Sequence, residues 1–180
     1  MGTKYSYRKG GFGLSALLAA LLPSAAIAGT VTATAKVIVL RPLSFFVVQD
    51  MDLGDIIPGA VGGTVRLFPN GTRTSTGSIV LSGATHQPAR FAGLGTPNQM
   101  VSITIPAASI NLTGPGTPMT LSLFEIGSTP TAILGPVPSF FRIGSAIGNV
   151  NFPVGGTLAV GGDQAAGTYS GTFTITLNYL

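Results

Sequence analysis

Apolar and polar residues alternate along most of this chain, and nowhere beyond residue 28 do apolar residues recur at helical spacing across three turns. A period of two marks a half-buried strand, because successive side chains point to opposite faces of a sheet. The pattern predicts strands over 31–40, 43–48, 63–68, 78–81, 89–94, 100–105, 109–112, 119–126, 140–143, 157–160 and 168–180. Turn formers separate them: Gly83, Gly95-Thr96-Pro97, Gly114-Pro115-Gly116, Gly135-Pro136 and Gly155-Gly156. Pro69-Asn70-Gly71 between apolar runs predicts a hairpin, since Asn and Gly accept the positive φ that tight hairpin turns require. Short strands at this spacing predict an all-β chain folded as an antiparallel β-sandwich.

Two stretches alternate most strictly. At the C-terminus Tyr169, Phe173, Ile175, Leu177 and Tyr179 share one face with Gly171 among them, opposite Ser170, Thr172, Thr174, Thr176 and Asn178. Near the other end Val31, Ala33, Ala35, Val37 and Val39 lie opposite Thr32, Thr34 and Lys36. A lone strand of this kind cannot bury its apolar face. It pairs either as the first strand of its own domain or with a neighbouring chain, and the alternation suits both, because both are the same strand addition.

The first 28 residues read differently. Lys4, Arg8 and Lys9 precede an apolar run from Leu14 to Leu22, then Pro23, then Ala26-Ile27-Ala28 before Gly29. A charged start, a short apolar middle and a small-residue exit are the parts of a secretory signal peptide, here expected to be cut before Gly29. The apolar run falls short of the roughly 20 residues a spanning helix needs. The organisation expected is thus a leader over 1–28 and one exported domain over 29–180, with no internal repeat and no linker.

Charge and composition narrow the function. The net charge of +4 is mostly the leader's: beyond it, six basic residues (Lys36, Arg41, Arg66, Arg73, Arg90, Arg142) face five acidic ones (Asp50, Asp52, Asp55, Glu125, Asp163), leaving +1. No basic patch for nucleic acid remains. Charged residues make up 8% of the chain, far below the roughly 25–35% typical of a soluble monomer's surface, so association with other chains is expected. With no Cys, one His and five acids, thiol chemistry is excluded and the catalytic inventory is thin. The protein is read as no enzyme and as needing no cofactor. Asp50, Asp52 and Asp55 lack the further carboxylates of a calcium loop and read as a polar turn. His86 sits in a Gly-, Pro- and Gln-containing loop, no Gly-x-Ser-x-Gly elbow accompanies it, and an exposed loop residue is expected. Asn70-Gly71-Thr72 and Asn111-Leu112-Thr113 match glycosylation sequons but read as ordinary turn and strand residues.

The ending resembles that of chaperone–usher pilin subunits, which close on a strand with a penultimate Tyr, alternating apolar residues and a Gly fourteenth from the end. Tyr179, Leu177, Ile175, Phe173 and Gly167 occupy those positions here. The wider chain is similar to the bacterial domain-of-unknown-function 4402 family over essentially all of 29–180. That likeness rests on Arg41-Pro42-Leu43, on Asp52-Leu53-Gly54-Asp55-Ile56-Ile57-Pro58-Gly59, and on Asp163 to Gly171. Many pilins carry a disulfide that this chain lacks.

The resemblance implies an immunoglobulin-like sandwich and a structural subunit of a pilus or surface fibre, built by strand exchange and supporting adhesion or biofilm formation. Residues 29–39, with Val31, Ala33, Ala35, Val37 and Val39, would be the donor strand, while Gly167, Phe173, Ile175, Leu177 and Tyr179 would engage a chaperone or neighbouring subunit. The implied partners are copies of the chain or related pilins, a periplasmic chaperone and an outer-membrane usher. The implied route runs through the periplasm to the cell surface. Two other classes remain open. One is a secreted monomeric β-sandwich that binds carbohydrate or a surface. The other is an eight-stranded outer-membrane barrel, disfavoured by short strands broken at Gly and Pro.

Overall fold

A computed structural model describes Gly2, residues 29–127 and residues 131–180; apart from Gly2, the expected leader lies outside the described residues. Residues Ile38–Leu180 form one compact unit that holds every strand among the described residues. In chain order these are β1 (Ser44–Gln49), β2 (Ile56–Ile57), β3 (Gly63–Leu67), β4 (Arg73–Ser75), β5 (Val80–Leu81), β6 (Ala89–Leu94) and β7 (Met100–Thr104). There follow β8 (Ser109–Leu112), β9 (Met119–Ile126), β10 (Ala132–Ile133), β11 (Ser139–Arg142), β12 (Asn149–Val160) and β13 (Thr176–Tyr179). No helix occurs among the described residues, so none there is long and apolar enough to cross a membrane.

All strand pairs are antiparallel. The largest sheet runs β1-β6-β12-β3-β4, with β9 on the other edge of β12 and β8 and β10 on β9. Its outer strands are β1 and β4 on one side and β8 and β10 on the other. A three-stranded sheet, β11-β7-β13, and the short pair β2-β5 complete the set. One cluster of buried apolar side chains draws on both larger sheets, with Val65, Phe91, Phe124, Phe152 and Leu158 from the first and Val101, Ile103 and Leu177 from the second. Phe152 stacks on Phe91 at 5.3 Å between ring centres, an offset contact worth about 0.5–1.5 kcal/mol beyond the area it buries.

β12 organises the large sheet. Its first half, Asn149 to Val154, pairs with β6, and Gly156 to Val160 pairs with β3 on the same side. The alternation predicts only 157–160 here, because Gly155-Gly156 reads as turn punctuation. The glycine has another purpose: a Cβ on Gly155 would collide with the Leu67 carbonyl, so β12 and β3 meet only because that side chain is missing. The hairpin at Asn70-Gly71 forms, with Gly71 at φ 91 and the Thr72 amide donating to Asn70 Oδ1 at 2.9 Å. Its second arm is the polar β4, not the apolar run 78–81 expected.

The two strictly alternating stretches differ from expectation in opposite ways. Residues 31–40 belong to no strand; a strand exists through its ladder of hydrogen bonds, and alternation alone does not supply a partner. At the C-terminus the strand covers 176–179 instead of 168–180, with a single bridge between Ser170 and Thr113 upstream. The faces are as read. Ile175 and Leu177 are buried while Thr174 and Asn178 are exposed.

Candidate assembly site

The N-terminal candidates are open to solvent throughout. Val31, Val37 and Val39 are 94%, 84% and 86% exposed, and Ala33 and Ala35 are exposed as well. Further along, the backbone is tied down at Arg41. Its amide donates to Thr96 Oγ1 at 2.6 Å, and its carbonyl accepts from the Tyr179 hydroxyl at 2.9 Å. The same hydroxyl accepts from the Thr96 amide at 2.6 Å. The penultimate tyrosine therefore clasps the start of the body to the 95–97 turn, a role alternation could not reveal. Tyr179→Phe keeps the ring and removes both bonds. It is expected to lower stability by about 1 kcal/mol, measured by urea unfolding, because these bonds are only partly buried.

β1 has one paired edge, against β6, and β13 has one, against β7; residues 171–175 belong to no strand. Among the described residues the other edge of each strand is unpaired, and side chains of β1 and of the stretch before β13 meet on Phe91. Phe45 of β1 reaches it at 6.4 Å between ring centres and Phe173 at 6.3 Å, with Phe173 also 4.9 Å from Phe124. Phe45, Phe173 and Tyr179 are each only partly buried. β1 continues with Phe46, Val47 and Val48 more than half exposed. A long apolar edge with free amides and carbonyls is a template for pairing with another chain.

The remaining members of the C-terminal set hold the local backbone. Gly167 sits at φ +144, which side-chain-bearing residues rarely adopt, and a Cβ there would lie 2.5 Å from Pro115 Cγ. Two residues on, the Tyr169 hydroxyl accepts from the Gly116 amide and Gln164 Nε2, both at 2.8 Å, and donates to the Ala165 carbonyl at 3.0 Å. The loop before the last strand is thereby fastened to the 114–116 turn.

The acidic stretch is organised by a cation from within the chain. Arg73 of β4 donates to the carbonyls of Leu53 (2.6 Å) and Ser82 (2.9 Å). Asp52 Oδ1 accepts from the Gly54 amide at 2.8 Å, a local turn with Gly54 at φ 72. Among the described residues no three His, Cys, Asp or Glu side chains group as metal ligands. Calorimetric titration with calcium is expected to give no saturable heat, and a micromolar site would contradict this account of the turn. His86 is half-buried rather than exposed, with Nδ1 buried and without a hydrogen-bond partner among the described residues.

Alternation gives no sign of the ion pair between Arg66 and Glu125, 59 residues apart. Nε and Nη2 of Arg66 donate to the two carboxylate oxygens at 2.7 and 2.8 Å, and the guanidinium lies 4.1 Å over the Phe68 ring. The Glu125 side chain is 2% exposed. Burial opposes its ionisation, but hydrogen bonds from Arg66 and Thr131, with the Arg66 charge, hold the carboxyl below its usual range.

A family model described as a domain of unknown function, DUF4402, matches residues 43–179, and the chain belongs to that family. No curated protein and no solved structure matches it.

Proposed function

We propose that this DUF4402 member is an exported structural subunit of a bacterial pilus or surface fibre. In this reading the body is an incomplete immunoglobulin-like sandwich, and subunits join when residues 29–39 of one chain add as a strand to the next. The observation that carries the reading is a pair of complementary surfaces. Val31 to Val39 form an amphipathic run in no strand and open to solvent, while β1 and β13 each leave one edge unpaired among the described residues, beside partly buried Phe45, Phe173 and Tyr179. A donor there would gain main-chain hydrogen bonds along its length and place every second side chain against apolar surface. The sparse charge is consistent with a surface that neighbours cover. A chaperone and an usher are the partners this route implies, and support of adhesion or biofilm formation is the role.

Export predicts that protein recovered outside the cytoplasm begins at Gly29, which its intact mass reads directly; a recovered chain retaining Met1 would contradict it. For assembly, Ala35→Asp or Val37→Asp puts a charge on the docking face of a segment no strand uses. Either substitution is expected to abolish the oligomer ladder in sedimentation velocity while leaving the thermal unfolding of the body unchanged. A ladder undiminished by both would remove the donor role from this segment.

A further inference from the structure

The Arg66–Glu125 pair stands beside a backbone irregularity that places it. In β9, Ser122 faces Thr157 of β12 and Glu125 faces Gly155, so β9 carries Leu123 and Phe124 where β12 carries only Gly156. One extra residue reverses the facing of everything after it. Without it, alternation from buried Leu121 would turn Glu125 into the core and Phe124 outward. With it, Phe124 is fully buried and Glu125 turns towards Arg66.

The extra residue is a leucine in the left-handed region, at φ 50, and is 54% exposed. A side-chain-bearing residue there costs roughly 1–2 kcal/mol, and glycine would form the same bulge without that cost. The leucine side chain fills no core position, so what it does for the fold does not explain its presence.

Leu123 borders an open concavity of about 480 Å³, within the range of small-molecule sites. Ile133, also 54% exposed, gives a second apolar wall, and Arg66, Glu125, Thr64, Thr74, Thr76 and Thr157 line it as well. Arg66 spends Nε and Nη2 on Glu125, and among the described residues Nη1 donates to no protein acceptor. The site thus offers apolar walls, a free guanidinium donor and hydroxyls that both donate and accept, with no net charge. An anion would find its cation already matched. A purely apolar ligand would cover hydroxyls and an N–H group without pairing them. A sugar ring, apolar on one face and rimmed with hydroxyls, satisfies both halves.

We propose that this concavity binds a saccharide, its apolar ring face against Leu123 and Ile133 and its hydroxyls on Arg66 Nη1 and the threonines. Its lining residues belong to neither β1 nor residues 171–179, and the proposal does not depend on the assembly reading.

Saturation-transfer difference NMR, which tolerates large assemblies, tests this on the chain from Gly29, with D-glucose, D-galactose, D-mannose and N-acetyl-D-glucosamine as separate probes. At least one is expected to give a signal that saturates in the millimolar range. Leu123→Gly is expected to weaken that binding by about tenfold or more while raising the melting temperature, an opposition that general unfolding does not produce. Should that variant fail to fold, Thr157→Val, which removes one hydroxyl from a half-buried position in β12, is expected to weaken binding similarly. No saturable signal from any of the four sugars would overturn the proposal. So would wild-type affinity in the folded Leu123→Gly protein, or in Thr157→Val where only that variant folds.

Discussion

Arg66→Ala is expected to destabilise the domain by about 2–3 kcal/mol at pH 7, read from urea unfolding midpoints at unchanged slope. The loss comes less from the attraction removed than from what remains. Glu125 is 2% exposed, and without Arg66 it must either keep a buried charge or take up a proton. The Arg66 side chain is 42% exposed, so water screens part of the pair and the loss is smaller than for a fully buried bridge. The same pair sets an acid dependence. Its folded carboxyl titrates below the ordinary value of 4.5, so the unfolded chain binds the proton more readily. The pair's contribution is complete above about pH 4.5 and is lost as pH falls through the folded pKa. Glu125→Gln should be less stable than wild type at neutral pH and should lack this component of the acid decline. Equal stability of Arg66→Ala and wild type at pH 7 would mean that Glu125 finds another partner.

Deleting residues 29–37 is expected to leave a folded body that cannot form a ladder. Those residues contribute no strand, and Val31 and Val37 are almost wholly exposed, so their removal withdraws little buried surface. The body's melting temperature should stay within a few degrees of the undeleted chain, since changes remote from buried contacts fall within about 0.5 kcal/mol. Assembly, by contrast, should vanish altogether, because under strand exchange each junction needs one donor. A deletion that unfolds the body would place the segment in its own domain, and a deletion that still assembles would place the junction elsewhere.

How far the sequence went depends on what fixes each element. β6, β8 and β9 lie where alternation put them, because each has one face on the core and a paired edge to hold it. β4 was missed because Arg73-Thr74-Ser75 has no apolar residue to betray it; the turn at Asn70-Gly71 fixes its register. The first half of β12 was missed because close approach to β3 demands glycine, and glycine in sequence looks like a break. Over 31–40 the pattern described a segment able to be a strand, which is a statement about side chains and not about a partner. Within the candidate site, the facing of Phe173, Ile175 and Leu177 was legible, whereas the Tyr179–Arg41 clasp was not. Leu123 was invisible too, since φ leaves no periodic trace, and with it the bulge that aims Glu125 at Arg66.

The central claim is that residues 29–39 of one chain complete the next. Its most direct test is size-exclusion chromatography, at equal concentrations, of the chain from Gly29 and of the same chain with residues 29–39 repeated after Leu180 through a flexible Gly/Ser linker. A tethered strand has a high effective concentration and displaces an intermolecular donor without any new contact. The account predicts concentration-dependent oligomers for the first protein and a self-complemented monomer for the second. Identical monomeric elution of the two at every concentration would contradict strand exchange.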